Sequence, residues 1–150
     1  MDDNIRTIGL LNIWAQVPAY QTELASGMDL HASNIDTILL RTGERALIPT
    51  GIAIHLKEGE EAQVRSRSGL AHKHGVVVLN SPGTIDADYQ GEIKVILFNH
   101  GTEDFEITRG LRIAQLVVSD VKRITPRVVK LNEEVKRSER GDKGFGSTGL

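Results

Sequence analysis

Nine glycines punctuate the middle of this sequence, at positions 43, 51, 59, 69, 75, 83, 91, 101 and 110, with gaps of only 6 to 10 residues. Between them lie segments rich in Val, Ile and Leu. Short strands separated by turn signals at this interval describe an all-β sandwich or barrel, because a βαβ succession needs longer stretches between its turns. The pattern predicts strands at Ile35 to Leu40, Ala46 to Ile48, Ile52 to Leu56, Ala62 to Val64, Val76 to Leu79, Ile93 to Asn99, Phe105 to Ile107 and Ile113 to Val118. Two of these, Ile93 to Phe98 and Ile113 to Val118, are apolar on nearly both faces, which suits strands covered on both sides. A small monomer has little material for that cover, so an oligomer is expected.

One segment breaks the β pattern. Ser68 to Gly75 opens on an N-cap residue type and closes on a C-cap glycine, which predicts one short helix of about two turns. After Val135 the character changes again, since residues 136–150 hold four glycines and a single aromatic, Phe145. Such a stretch cannot bury enough apolar surface to order itself. The expected organisation is therefore one β domain over residues 1–135 and a flexible glycine-rich C-terminal tail over 136–150. At 150 residues and 39% hydrophobic content, one compact core is affordable and two are not.

Charge and composition exclude several functions. The formal net charge of −2 supplies no basic field for a nucleic acid backbone, so no nucleic acid partner is expected. No cysteine is present, which removes disulfides, thiolate nucleophiles and Cys-based zinc sites together. Asp2 and Asp3 stand where a secretory signal would carry positive charge, and no apolar run approaches the roughly 20 residues that cross a bilayer. The expectation is a soluble, cytoplasmic protein with no membrane partner.

Several clusters could carry chemistry. Arg67-Ser68-Gly69, at the start of the expected helix, offers backbone N–H groups, a hydroxyl and a guanidinium fork. These suit a phosphate, or simply a capped helix beside a solvated arginine. In 80–91, Pro82-Gly83 turns the chain toward the strand beginning near Ile93, predicting a β-hairpin. Asp86 and Asp88 on an extended arm would share a face roughly 6 to 7 Å apart, too far to share one proton; both are also good turn formers. Asp29 follows a glycine in an apolar stretch and either caps local backbone or organises a metal's water shell. Gln115 interrupts a strand expected to be buried, where its amide needs partners from the protein or from a ligand. His72 and His74 point in different directions on the expected helix and read as surface or packing residues rather than zinc ligands. Trp14 and Tyr20 read as core or interface, and Lys122-Arg123 as a solvated face. The C-terminal 140–149 combines glycines, Arg140, two hydroxyls and Phe145. That is the parts list of a nucleotide lid, or of a disordered terminus.

Taken in order, Ser26-Gly-Met-Asp-Leu30, Arg67-Ser-Gly-Leu-Ala71, Gly83-Thr-Ile-Asp-Ala-Asp-Tyr-Gln-Gly91, Gly110-Leu-Arg-Ile-Ala-Gln-Leu116 and Arg140-Gly-Asp-Lys-Gly-Phe-Gly-Ser-Thr-Gly149 resemble the five motifs of the trimeric dUTPase family. The only departure noted is Ser26, where alanine is usual. The resemblance implies a jelly-roll subunit and a homotrimer with three active sites, each shared by all three chains. It also implies hydrolysis of dUTP to dUMP and pyrophosphate by water attacking the α-phosphorus, which limits uracil in DNA and supplies dUMP for thymidylate synthesis. By the same resemblance, Asp86 is the general base and Tyr89 packs under the deoxyribose. Asn80 and the backbone between Thr84 and Lys94 read the uracil. Arg67, Ser68, Gly69 and Gln115 contact phosphates, and Asp29 supports, through water, a Mg²⁺ held mainly by those phosphates. Arg140, Gly146, Ser147 and Thr148 close over the triphosphate while Phe145 covers the base.

Such a role set agrees with the chemistry, because phosphoanhydride hydrolysis needs positioning and charge neutralisation more than a covalent nucleophile. Two other readings compete. A dCTP deaminase, mono- or bifunctional, has a similar fold but resembles Asp-Pro-Gly-Trp-x-Gly where this chain has Asp86-Ala-Asp-Tyr-Gln-Gly91. A non-catalytic β module would bind the nucleotide without turnover.

Overall fold

The computed structural model describes residues 6–129. Eleven strands and one helix follow in order: β1 (Thr7–Leu10), β2 (Ala19–Tyr20), β3 (Met28–His31), β4 (Ile38–Leu40), β5 (Arg45–His55), β6 (Glu60–Arg65), α1 (Ser68–His74), β7 (Val76–Val78), β8 (Gly83–Asp86), β9 (Ile93–Asn99), β10 (Phe105–Ile107) and β11 (Arg112–Asp120). They build a four-stranded sheet in the order β1-β5-β9-β7, a five-stranded sheet in the order β2-β3-β11-β6-β8, and a small β10-β4 pair. Every pairing is antiparallel. This is the expected all-β, jelly-roll-like architecture with one short helix.

The core lies between the two larger sheets. Leu30, Ala62, Val64 and Leu116 project from one, Ile48, Ile52, Val95 and Leu97 from the other, and all belong to one buried cluster. Each fully buried Leu or Ile contributes about 1.5–3 kcal/mol by leaving water. Alternation drives this on β6, where Ala62 and Val64 face inward while Glu61, Gln63 and Arg65 face out. At the end of β9 the core closes on a polar knot. Asn99, fully buried, donates to the carbonyls of Leu40 and Glu103 at 3.0 and 2.9 Å and accepts from the Gly101 N–H at 2.8 Å.

The expected strands at 46–48 and 52–56 are in fact one eleven-residue strand, β5. Gly51, read as a turn signal, is instead a bulge: the β5–β9 register slips between Pro49 and Ile52, and Gly51 holds φ +67°. A side chain there would also meet Asn12 and Ala15, since a Cβ would lie 2.6 Å from Asn12 Nδ2 and 2.8 Å from the Ala15 Cβ. The strand expected from Ile35 starts only at Ile38, because the Asn34 side chain donates to the carbonyls of Asp36 and Ile107 and pins that approach as a loop. Strands β1, β2, β3 and β8 lie outside the expected set: β2 is two residues long, and Gly9, Asp29 and Gly83 interrupt the apolar character of the others.

The helix forms where expected and ends on Gly75 in the left-handed conformation. Its start shifts by one residue. Arg67 occupies the extended N-cap position with no side-chain cap, and Ser68 is the first helical residue rather than the cap. The segment 80–93 also departs from its expected form. No hairpin forms, because β8 pairs with β6 in one sheet while β9 pairs with β5 and β7 in the other. Residues 87–92 therefore bridge the two sheets. Asp88 lies in the turn after β8 and does not share an extended arm with Asp86.

Covered-both-sides holds for the centre of β11, where Ile113, Ala114, Leu116 and Val117 are all buried; β9 alternates, with Lys94 exposed and Ile96 and Phe98 half-buried. His72 and His74 are exposed, and the His74 ring packs against Phe105 with centroids 4.9 Å apart. Half-buried Trp14 lies under the Arg109 guanidinium, 4.6 Å from the ring centre. Tyr20 is exposed on β2 and Lys122 and Arg123 are exposed beyond β11. Among the described residues no helix is long and apolar enough to cross a membrane.

Candidate active site

The sequence-predicted residues fall into two groups, one on the five-stranded sheet and one where β8 of that sheet faces β9 of the other. The first is built across β3, β11 and the exit of β6. Asp29, Gln115 and Arg65 stand in register on neighbouring strands and so face the same side. Asp29 is 7% exposed, and both its oxygens are engaged: Arg67 Nε donates to Oδ1 at 3.2 Å and Arg112 Nη1 to Oδ2 at 3.1 Å. Arg67 Nη1 donates in addition to the Arg112 carbonyl at 3.0 Å. One carboxylate thus holds two guanidinium groups side by side, which a buried acid does at lower cost than it would stand alone.

Gln115 donates its amide to the Ser66 carbonyl at 3.0 Å, and the Ser66 hydroxyl accepts from the Val78 N–H at 2.9 Å. These bonds fix the chain just ahead of Arg67. Ser68 and Gly69 lie exposed in the first turn of α1, and the space around the Gly69 Cα is open. His31 flanks the group. Burial holds its imidazole below the ordinary 6.5, with Asp29 opposing and Arg112 and Arg67 reinforcing the effect. A neutral ring places no third positive charge beside the two arginines.

The second group surrounds a cleft of about 430 Å³ between β8 and β9. Its polar rim is Asn80, Thr84, Asp86, Tyr89 and Lys94, and Val64, Val78 and Val95 form its floor. That size and lining suit one planar heterocycle with a sugar. Among the described residues β8 is the terminal strand of its sheet, so no described strand lies beside the backbone N–H and C=O groups on its outer edge. Tyr89 N–H donates to the Asp86 carbonyl at 3.1 Å, closing the turn, and the Tyr89 hydroxyl donates to the Glu92 carbonyl at 2.8 Å. The ring lies over Gly91, where a Cβ would come within 2.6 Å of the hydroxyl oxygen. Only glycine lets that ring lie there.

Within one chain these groups do not converge. Asp86 is paired with Glu61 and Gln115 with Arg65, four residues further along β6, so roughly 13 Å separates them along that strand. Arg67 turns from β6 toward β11 and β3, away from β8. The expected lid residues Arg140, Phe145, Gly146, Ser147 and Thr148, and the expected boundary at residue 135, lie outside the described residues.

Two contributors were not singled out from the sequence. Arg112 shares Asp29 with Arg67, but strict alternation would put positions 112 and 115 on opposite faces, and only the bulge between Arg112 and Ala114 brings Arg112 to the Gln115 side. Glu92 accepts the Gly51 N–H at 2.8 Å, a contact between residues 41 apart that no local pattern signals.

Among the described residues, no group of three or more His, Asp or Glu could hold a metal ion. Such a donor set fits a Mg²⁺ whose ligands are mainly substrate phosphates and waters, since this ion dehydrates reluctantly and prefers oxygen donors. Each Asp29 oxygen accepts one guanidinium and keeps a lone pair for a water.

Comparison with known proteins gives a concordant result. The dUTPase family model matches residues 14–149. The deoxyuridine 5'-triphosphate nucleotidohydrolase of Rickettsia bellii is 55% identical over 139 residues, 93% of this chain and 91% of its own. That of Rhizobium rhizogenes is 54% identical over 136 residues, covering 89% and 85%. Among solved structures, the dUTPase of Staphylococcus bacteriophage 80alpha with dUpNHpp superposes with a TM-score of 0.85 at 29% identity, covering 98% of this chain and 99% of that one. The dUTPase of phage phi11 of S. aureus, described with a structural Mg(II) ion, shares the fold with a TM-score of 0.75 at 24% identity, covering 87% and 98%. These names favour the hydrolase over the deaminase alternative.

Proposed function

Because this chain belongs to the dUTPase family, we propose that it hydrolyses dUTP to dUMP and pyrophosphate, each site being assembled from half-sites on different chains of a homotrimer. The observation that carries this reading is the cleft between β8 and β9, with Asp86 and Tyr89 on its rim and, along its side, the edge of β8 that no other described strand pairs. A uracil entering it meets backbone donors and acceptors of fixed geometry. Cytosine presents the opposite pattern and would leave buried groups unpaired. Asn80, Thr84 and Lys94 line the same space, and the Tyr89 ring offers a flat wall for the deoxyribose that leaves no room for a 2′-hydroxyl.

Asp86 is exposed at the end of β8 and carries the general-base role. It accepts a proton from the water that attacks the α-phosphorus, and the pyrophosphate leaves in line. Arg67, Ser68 and Gly69 offer donors to the phosphates, and Gln115 fixes the backbone ahead of them. Mg²⁺, when bound, neutralises phosphate charge and polarises the scissile bond. The separation between Asp86 and Arg67 within one chain supports assembly from more than one subunit. The lid residues Arg140, Phe145, Gly146, Ser147 and Thr148 complete the proposed site from a third chain, in a cytoplasmic enzyme.

The deciding assay is pyrophosphate release from dUTP with Mg²⁺, run beside dCTP. Stoichiometric dUMP and pyrophosphate from dUTP alone is the expected result. Ammonia from dCTP, or binding of dUTP without turnover over hours, contradicts it.

A further inference from the structure

We propose that Glu92 is a positioning residue for sugar selection, which sets the place of the Tyr89 ring from the opposite sheet. The inference rests on the reading of Tyr89 as the wall against which the deoxyribose lies. The bulge in β5 takes the Gly51 N–H out of the β5–β9 ladder, and a buried donor left unpaired there would cost free energy. The Glu92 carboxylate supplies the missing acceptor, with Oε1 2.8 Å from the Gly51 nitrogen, while Oε2 lies 3.6 Å from Lys94 Nζ. Next to it, the Thr50 hydroxyl donates to the Ile93 carbonyl at 2.5 Å, so the same stretch of β5 grips residues 92 and 93 by side chain and by backbone.

The backbone carbonyl of Glu92 is also the acceptor for the Tyr89 hydroxyl. Tyr89 thus rests on a carbonyl whose position is fixed by the side chain of the same residue, anchored to the four-stranded sheet. The turn after β8 alone would leave the ring tied only to its own strand, through the Tyr89 N–H. With the clamp in place, the two sheets define the width of the space beside the ring, and that width is what a 2′-hydroxyl tests.

The experiment measures kcat/KM for dUTP and for UTP in the full-length enzyme and its variants Glu92→Ala, Glu92→Gln, Tyr89→Phe, Tyr89→Ala and the double variant Glu92→Ala/Tyr89→Phe. Glu92→Ala and Tyr89→Phe should each lower the preference for dUTP by about three- to tenfold, the factor one net hydrogen bond supports. Glu92→Gln keeps an acceptor for Gly51 and should retain most of the preference. The double variant should be no worse than the poorer single, because both substitutions cut one chain of contacts. An unchanged preference in Tyr89→Phe overturns the proposal even where Glu92→Ala fails to fold, and so does additivity in the double variant. If Tyr89→Ala abolishes the preference while Glu92→Ala leaves it intact, the clamp is wrong and the reading of Tyr89 stands. A preference untouched by Tyr89→Ala refutes that reading itself.

Discussion

Replacing Asp29 with asparagine separates two roles that the residue could play, because the isosteric amide keeps the shape and removes the charge. Asp29 is 7% exposed and accepts from Arg67 and Arg112 at 3.2 and 3.1 Å. Hydrogen bonds to charged groups contribute about 1.5–3 kcal/mol each when fully desolvated. The two arginine side chains are 25% and 46% exposed, so water recovers part of that loss. One amide oxygen still accepts from one guanidinium, but the amide N–H₂ then faces the other. The net cost expected is about 2–3 kcal/mol, read by urea denaturation at fixed protein concentration, because association contributes to apparent stability. Released from its anchor, Arg67 should also raise KM for dUTP by about tenfold, the equivalent of about 1.4 kcal/mol. Asp29→Ala, with no acceptor left, should cost more than Asp29→Asn. A variant within about 0.5 kcal/mol of the parent that has nevertheless lost turnover would refute the clamp. Asp29 would then act mainly on the water shell of the metal.

Three further outcomes are expected. Asp86→Asn should leave dUTP binding nearly intact while lowering kcat by about 10²- to 10⁴-fold, measured by single-turnover kinetics; a change confined to KM contradicts the base role. Asn99→Ala removes three bonds from a fully buried amide and should destabilise the fold by about 2–4 kcal/mol in urea, with little effect on KM beyond that stability loss. The Arg6 guanidinium holds the Glu60 carboxyl down to about 2 from an ordinary 4.5, with the Lys57 N–H adding to the effect. Its folded-state pKa being depressed, its contribution is complete above about 4.5 and lost as pH falls toward about 2, so Arg6→Ala should flatten that part of the acid unfolding curve.

What the sequence disclosed divides along a physical line. The apolar runs of β6 and β9 and the helix closed by Gly75 are local patterns and lie where expected, although β6 extends on both sides of Ala62 to Val64 and β9 alternates in burial instead of being covered on both faces. Gly51 marked the limit of that method. A glycine in a run of turn signals looks the same whether it ends a strand or bulges one, and the difference is set by Asn12, Ala15 and Glu92, which pack against it from far along the chain. The 80–93 segment failed as a hairpin for the same reason, because pairing partners β6 and β5 decided which sheet each arm joined. At the site, Asp29, Arg67 and Gln115 were legible as chemistry in the sequence, and the structure gathers them with Arg112. Their separation from Asp86 was not legible, since it follows from strand register.

In the proposed assembly the Asp86 cleft and the Arg67 cluster work together only across subunits. Prepare Asp86→Ala and Arg67→Ala, each expected to be inactive alone, then unfold, mix equally and refold them. With random assortment in a closed cyclic assembly, about one quarter of sites would pair an intact cleft with an intact phosphate cluster. Roughly that fraction of dUTP hydrolysis should be recovered. A mixture that mass measurement shows to contain hetero-oligomers, yet which stays as inactive as its parents, would contradict that assembly.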